Sequence, residues 1–312
     1  MVCAVSLNPA IDKYLRIARL RRGEHLEAQE VITSAGGKAV NVAGVLRALG
    51  EEVELIGFFG GFTGDYILAQ AAAEGIRADP VRIPALTRTA FVLVEEDGSE
   101  TEVVEPGAPV APEAIAALRA KLRAAAGRAA VVVLSGSVPP GCSEDIYVQL
   151  LGDCAGRCPV IVDTSRAHLR ALLAAKPYPG PAMIKPNRRE TEAALGQALD
   201  GSPGFVRALR YFAQCGVAMP VISDGAAGLW VWRESRIWQA RPPALTRVNS
   251  VGSGDATVAG LAAALARGYA LEPMLRLATA CGAANVLTKE CAQVSPAEVA
   301  RLEPQIAIQP VE

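Results

Sequence analysis

The segment Asn249-Ser250-Val251-Gly252-Ser253-Gly254-Asp255-Ala256 runs into an apolar helical stretch that closes at Arg267-Gly268. Two glycines flank a serine, and an aspartate falls where the helix should begin. A helix N-terminus carries unpaired N–H groups and the positive end of the macrodipole, so it attracts anions. Glycines let that backbone approach an anion closely. A carboxylate is misplaced there if the anion is only to be held. It has a purpose if it must take a proton from a group attacking the anion, which is phosphoryl transfer with Asp255 as general base. The simpler local reading is an N-capping aspartate, and this stretch alone does not exclude it.

Other polar groups fall where strands should end. Ser135-Gly136-Ser137 follows an apolar run at 131–134, Asp163 ends another at 160–163, and Ser223-Asp224-Gly225 with Gly228 follows a third at 220–223. Lys185-Pro186-Asn187-Arg188-Arg189-Glu190 sets an Asn and a Glu three residues apart across a helix start, on one face. Each is ordinary turn or cap chemistry by itself. Jointly they describe a polar, glycine-lined mouth on one side of a sheet.

Several familiar sites are excluded. Gly37-Lys38 is followed by Ala39, so there is no Walker A loop. Gly252-Ser253-Gly254-Asp255-Ala256-Thr257 lacks the third glycine of a dinucleotide fingerprint and comes late in the chain. With only His25 and His168, a zinc centre or a Ser–His–Asp hydrolase has little to draw on. The seven cysteines are scattered without a Cys-x-x-Cys pair, so reduced thiols and a cytoplasmic location are expected. A net charge of −1 gives no electrostatic case for nucleic acid or an anionic membrane. The opening Met1-Val2-Cys3-Ala4-Val5-Ser6-Leu7 has no basic segment and reads as a strand, not a signal peptide. No apolar run approaches the length of a membrane span.

The 312 residues, 51% of them hydrophobic, are ample for a large core. Charged, alternating segments at 11–20 and 27–33 resemble exposed strands. A helix is expected over 38–49, where Val42, Val45, Leu46 and Leu49 share a face and Gly50 closes it. A strand at 52–58 leads into 57–65, read as a glycine-rich loop, and then a helix to Ala73. Strands at 88–95 and 100–104 flank the turn Asp97-Gly98. From Ala111 onward strands and helices alternate: strands at 131–134, 160–163, 182–185 and 220–223, helices at 144–151, 169–174, to Leu195 and 206–215. That rhythm predicts a mostly parallel sheet covered on both faces, with ligands at the carboxyl ends of the strands. A hairpin (229–232, 236–239) and helices at 255–267, 272–288 and 296–302 complete the chain. Residues 1–312 read as a single domain, with lid strands from about 11–35 and 86–105 inserted in it.

Gly36-Gly37-Lys38-Ala39-Val40-Asn41-Val42-Ala43 resembles the first signature of the ribokinase-like (PfkB-type) carbohydrate kinases, and Val251-Gly252-Ser253-Gly254-Asp255 resembles their second. The intervening glycine-rich, Ser135, Lys185 and Ser223 segments follow in that family's order. Leu7-Asn8-Pro9-Ala10-Ile11-Asp12, Gly60–Gly64 and Ser135–Gly141 are similar to the branch containing 1-phosphofructokinase and tagatose-6-phosphate kinase. Such a resemblance, spanning essentially the whole chain, implies a three-layer α/β/α fold with a small β-sheet lid. It also implies ATP and Mg²⁺ as cofactors and a phosphosugar substrate, with a homodimer formed through the lid strands.

The same resemblance implies roles. Asp255 would be the base, with the N–H groups of Gly252, Ser253 and Gly254 as the anion hole. Asn187 and Glu190 would organise Mg²⁺ through water. Lys185, Ser223, Gly225 and Gly228 would line the ATP site, with the adenine near Ala284 and Thr288. Asp12 and Asn41 would hold sugar hydroxyls, Gly36 and Gly37 would allow close approach, and Lys38, Arg88 and Ser137 would contact an acceptor phosphate. Two positions depart from the pattern: Ala39 replaces a glycine, and Glu27 stands where this branch often has an arginine. Fructose 1-phosphate, giving the 1,6-bisphosphate, is the acceptor expected first. Tagatose 6-phosphate and fructose 6-phosphate follow, and a non-phosphorylated sugar or nucleoside is the alternative that Glu27 motivates. A non-catalytic sugar-phosphate or nucleotide sensor is the reading from another class.

Overall fold

A computed structural model describes residues 1–176 and 179–311. The chain opens with β1 (Val2–Ser6), β2 (Ala10–Ile17) and β3 (Glu30–Gly36), then α1 (Lys38–Ala48), β4 (Val53–Gly60), α2 (Gly61–Ala73) and β5 (Arg77–Ile83). After β6 (Arg88–Glu95) and β7 (Glu100–Val104) come α3 (Pro112–Ala126), β8 (Val131–Ser135), α4 (Ile146–Cys154), β9 (Val160–Asp163) and α5 (Arg166–Ala175). The second half holds β10 (Met183–Ile184), α6 (Arg188–Leu195), α7 (Gly201–Gln214), β11 (Met219–Ser223), β12 (Leu229–Arg233) and β13 (Arg236–Arg241). It ends with α8 (Ser253–Ala266), α9 (Leu271–Val286), α10 (Pro296–Leu302) and β14 (Ala307–Pro310).

Ten strands form one sheet in the order β14-β13-β12-β11-β10-β9-β8-β1-β4-β5. Pairing is parallel from β5 to β11 and antiparallel beyond it. All five residues of β1 are buried, as expected of a central strand covered on both faces. Alternate residues feed separate cores: Val2 and Ala4 pack with α1, α2, α8 and α9, while Cys3 and Val5 pack with α3, α4, α5 and α7. This is the expected three-layer arrangement. The parallel strands end on one side, at Ser135, Asp163 and Ser223, where a ligand crevice belongs.

A second sheet of four strands runs in the order β3-β2-β6-β7. The two hairpins join through a parallel β2–β6 pairing that brings Asp12 opposite Ala90 and Ala10 opposite Arg88. This joins the early and later lid strands into the single small sheet expected of them.

Residues 57–65 are not a loop. β4 is buried throughout and continues to Gly60, and α2 starts directly at Gly61. The glycines serve a close crossing, since a Cβ on Gly60 would sit 1.9 Å from the Ala85 carbonyl. Two edge strands, β5 and β14, carry no clear sequence signal; β5 (RADPVRI) is rich in charge and holds a proline, as edges often are. Among the described residues no helix is long and apolar enough to cross a membrane.

Candidate active site

The N-terminus of α8 is built by its neighbours. Gly252 caps it in the left-handed region (φ 83°), and a Cβ there would lie 2.3 Å from the Ala292 nitrogen and 2.7 Å from Cys291 Sγ. The fully buried Asn285 donates through Nδ2 to the Val251 carbonyl and to Ser253 Oγ, both at 2.9 Å. Val251 N–H donates to Asn249 Oδ1 at 2.8 Å, closing the turn. The first helical bond runs from Ala256 N–H to the Gly252 carbonyl, and Ser253 N–H closes on the Ser250 carbonyl at 3.3 Å. The N–H groups of Gly254 and Asp255 are therefore the ones that helix geometry leaves without an intrahelical acceptor. Of the three donors expected to form an anion hole, Gly252, Ser253 and Gly254, the Ser253 N–H is the one turned to a protein carbonyl.

Asp255 is 7% exposed and accepts a hydrogen bond from Asn41 Nδ2 at 2.8 Å. Burial pushes its carboxyl up to about 7; Asp163 adds to the rise, while Lys38, Asn41 and Lys185 oppose it. A carboxylate at that value is matched to taking a proton near neutral pH. Asp255 has no N-capping bond; it is the third residue of the helix, and the cap is Gly252.

Lys38 Nζ lies 3.3 Å from Asp163 Oδ2 and 3.4 Å from Glu190 Oε1. Lys185, 2% exposed, approaches Asp163 Oδ1 to 3.5 Å, and Ser135 Oγ is 3.3 Å from Oδ2. Burial opposes ionisation of Asp163, but Lys185 and Lys38 hold its carboxyl below the usual range. A Cβ on Gly254 would stand 3.5 Å from Lys185 Nζ, so this ammonium borders the helix terminus. Lys38, the lysine expected at an acceptor phosphate, is held by Asp163 and Glu190.

Asn187 and Glu190 form a reciprocal capping box at the start of α6: Glu190 N–H donates to Asn187 Oδ1 at 2.9 Å, and Asn187 N–H to Glu190 Oε2 at 2.8 Å. Among the described residues no cluster of three His, Cys, Asp or Glu side chains could hold a metal directly. The two side chains supply oxygen atoms of the kind that a hydrated divalent ion's waters can bond.

On the lid side, Asp12 takes the place a side chain on Gly36 would fill, since a Cβ there would be 2.0 Å from Asp12 Oδ2. Burial pushes the Asp12 carboxyl up to about 6, with Arg88 and the Gly37 N–H opposing and Glu102 adding to the rise. Gly37 (φ 88°) lets the chain pass the Pro9 backbone. Both glycines thus make room for the protein's own carboxylate and backbone. Arg88 donates from Nε to the Asn8 carbonyl at 3.2 Å and from an Nη to the Glu105 carbonyl at 3.0 Å. Asn8 Nδ2 in turn reaches Ser137 Oγ at 3.2 Å and the Pro106 carbonyl at 3.1 Å. Asn8 is what brings Arg88 and Ser137 together.

On the opposite side, Ser223 ends β11 with its N–H on the Pro186 carbonyl at 3.1 Å, and Gly225 (φ 52°) opens a short 3₁₀ turn. Gly228 is required by the fold itself, because a Cβ would lie 1.9 Å from the Ala240 carbonyl. Ala284 does not border an open site: it is fully buried on the inner face of α9, within the core shared with α8. Thr288 Oγ1 is engaged with the Asn285 and Glu290 carbonyls at 2.9 and 3.0 Å. Sequence reasoning marked Asp163 only as a strand end and gave no role to Asn8, Tyr14, Asn285 or Cys291. Asn285 has no signal at all, lying in the last turn of α9 at the end of an apolar run.

Strand ends that converge on a helix N-terminus holding a buried carboxyl, with two lysines beside it, define an α/β phosphotransferase. Residues 3–298 match the pfkB family of carbohydrate kinases, and the chain belongs to that family. It is 37% identical over 296 residues to a 1-phosphofructokinase of Xanthomonas campestris pv. campestris, covering 94% of this chain and 93% of that protein. It is 30% identical over 288 residues to a 1-phosphofructokinase of Borreliella burgdorferi, covering 92% of each. Among solved structures, phosphofructokinase-2 from Escherichia coli in complex with potassium superposes with a TM-score of 0.90 at 25% identity, over 98% of both chains.

Proposed function

We propose that this kinase transfers the γ-phosphoryl group of ATP to a primary hydroxyl of a ketohexose phosphate, with fructose 1-phosphate converted to fructose 1,6-bisphosphate. The observation that carries the chemistry is Asp255, buried at the α8 N-terminus, its carboxyl near 7 and oriented by Asn41 at 2.8 Å. The acceptor hydroxyl gives its proton to Asp255 and its oxygen bonds the γ-phosphorus as the bond to the ADP oxygen breaks. The Gly254 and Asp255 N–H groups face charge that grows on the transferred group, where fixed donors contribute most. Lys185 and Lys38 steady the phosphates from below.

Those two ammonium groups face three carboxylates, Asp163, Glu190 and Asp255. A polyphosphate is then attracted only if it brings a counter-ion, which supports Mg²⁺–ATP, held by Asn187 and Glu190 through water. Mg²⁺ would supply charge neutralisation on the phosphate oxygens. Ser223, Gly225 and Thr288 border the nucleotide side.

For the acceptor, Asp12 binds sugar hydroxyls and the Arg88–Asn8–Ser137 cluster binds the phosphate, a reading supported by two relatives named 1-phosphofructokinase. The four-stranded sheet acts as a lid that excludes water. Exposed Val31 on β3 and Val103 and Val104 on β7 are its unpaired edges, suited to a homodimer. The seven free thiols suit a reducing, cytoplasmic setting. Glu27 lies exposed between β2 and β3 and offers no cation, which keeps a non-phosphorylated acceptor as the second reading.

Measuring ADP release across free and phosphorylated sugars separates these. The proposal expects fructose 1-phosphate to have the highest kcat/KM, ahead of tagatose 6-phosphate and fructose 6-phosphate. Preference for ribose or a nucleoside over every phosphosugar would overturn it.

A further inference from the structure

Cys291 stands at a junction between the lid, α1 and the α8 terminus. Its Sγ is 3.6 Å from Asn41 Nδ2, the same nitrogen that donates to Asp255 Oδ2 at 2.8 Å. It packs on Gly252, whose missing Cβ would come within 2.7 Å of the sulfur. Tyr14, on lid strand β2, is a neighbour of the same sulfur, and each group influences the other's ionisation.

A primary amide has two N–H protons on one side and an acceptor oxygen on the other, in nearly the same shape. Only its partners decide which end faces Asp255. With the oxygen turned toward the carboxylate, two acceptors would oppose each other and the base would lose its donor. Here one Asn41 proton serves Asp255 and the second is offered to Cys291, so the sulfur selects the orientation. A thiol suits the task. Burial pushes Cys291 well above its ordinary value, so it stays neutral and adds no charge beside Asp255.

We propose that Cys291 is a positioning residue: it fixes the Asn41 amide so that its NH₂ faces the catalytic base, and Tyr14 ties that arrangement to the lid. This rests on the reading of Asp255 as the base. The titratable and charged groups that face Asp255 are Lys38 from α1, Asp163 at the end of β9, Lys185 after β10 and Cys291 after α9. Substituting Cys291 leaves the first three in place, so a changed titration reports on the amide.

The test is the pH dependence of kcat for the wild type and for Cys291→Ala, Cys291→Ser and Tyr14→Phe, with Asp255→Asn as the control. The wild type should lose activity as pH falls through about 7. Losing a donor to the carboxylate disfavours its charged form, so Cys291→Ala should move that limb upward by about half a pH unit or more. At pH 6 this lowers kcat about threefold, with KM for ATP unchanged. Serine keeps an acceptor and should restore the limb; Tyr14→Phe should shift it upward by a smaller amount. An unmoved limb in Cys291→Ala, a downward shift from water entry, or failure of serine to restore it would overturn the proposal. If Cys291→Ala does not fold, Tyr14→Phe carries the test, and an unmoved or lowered limb there has the same force. A wild type without an acid limb, or turnover retained in Asp255→Asn, would instead remove Asp255 as base and this inference with it.

Discussion

Lys38 Nζ lies 3.3 Å from Asp163 Oδ2, joining the first turn of α1 to the end of β9 across 125 residues of sequence. A cation in the first turn of a helix is unfavourable unless an anion accompanies it, and here the anion is the protein's own. Asp163 Oδ1 is buried with no hydrogen bond among the described residues, and the Lys185 ammonium lies 3.5 Å from it. The pair thus fixes Lys38 between the end of β9 and the start of α6, where Glu190 lies 3.4 Å away.

Lys38→Met should leave Asp163 poorly compensated. We expect kcat to fall by about a hundredfold or more, as for loss of a transition-state donor. Stability should fall by about 1–2 kcal/mol, discounted because Lys38 is 37% exposed. The sign with pH follows from the direction of the Asp163 shift. A carboxyl held below its unfolded value stabilises above that value, and the contribution is lost as pH falls through the folded one. Denaturant unfolding at neutral and acidic pH should therefore show the variant's deficit shrinking in acid.

Two neighbouring glycines should respond differently. Gly252→Ala requires an alanine at φ 83° and a Cβ 2.3 Å from the Ala292 nitrogen, so a loss of about 2 kcal/mol or more is expected by thermal or denaturant unfolding. Gly254→Ala meets only ordinary contact, 3.5 Å from Lys185 Nζ, and should fold as well as the wild type. Its methyl nevertheless stands beside the proposed anion hole, so kcat should drop at least tenfold while stability holds.

On the acceptor side, Arg88→Ala should raise KM for the phosphosugar about a hundredfold, the value of a lost charge-assisted pair, and leave KM for ATP unchanged. Asp12 titrates near 6, pushed up by burial. As pH falls through 6 it gains a proton and loses acceptor capacity, so KM for the sugar should rise below that point. Initial rates at varied sugar and fixed saturating ATP check both.

Asp255 should carry a stability cost. Its folded carboxyl sits near 7 against an ordinary value of 3.8, so the folded state binds the proton more tightly and stability falls as pH rises between those values. Asp255→Asn should then be more stable than the wild type at pH 8, by on the order of 2 kcal/mol. The gain should vanish below about pH 4, where both folded and unfolded wild type are protonated.

Much of this architecture was legible because its signals are local. The alternation of strands and helices after Ala111, the Asp97-Gly98 hairpin and the glycine-led starts of α1 and α8 each depend on neighbours in sequence. What was not legible depends on distant partners. Nothing near Asn285 indicates that its amide braces Val251 and Ser253. Nor does anything near Gly36 indicate that Asp12, on a paired strand, fills the space beside it. Ala284 illustrates a rotation error: position along α9 suggested the nucleotide site, but the helix turns that residue into the core. The β2–β6 pairing, which assembles the lid from two hairpins, has no sequence signature.

The central claim is that Asp255 takes the proton from the sugar hydroxyl, and a rapid-quench single-turnover measurement on Asp255→Asn tests it most directly. With saturating ATP and fructose 1-phosphate, the rate of bisphosphate formation should fall by at least about a hundredfold, the lower range for a general base, while ATP affinity measured by equilibrium titration stays within about twofold. A transfer rate equal to that of the wild type would contradict the account.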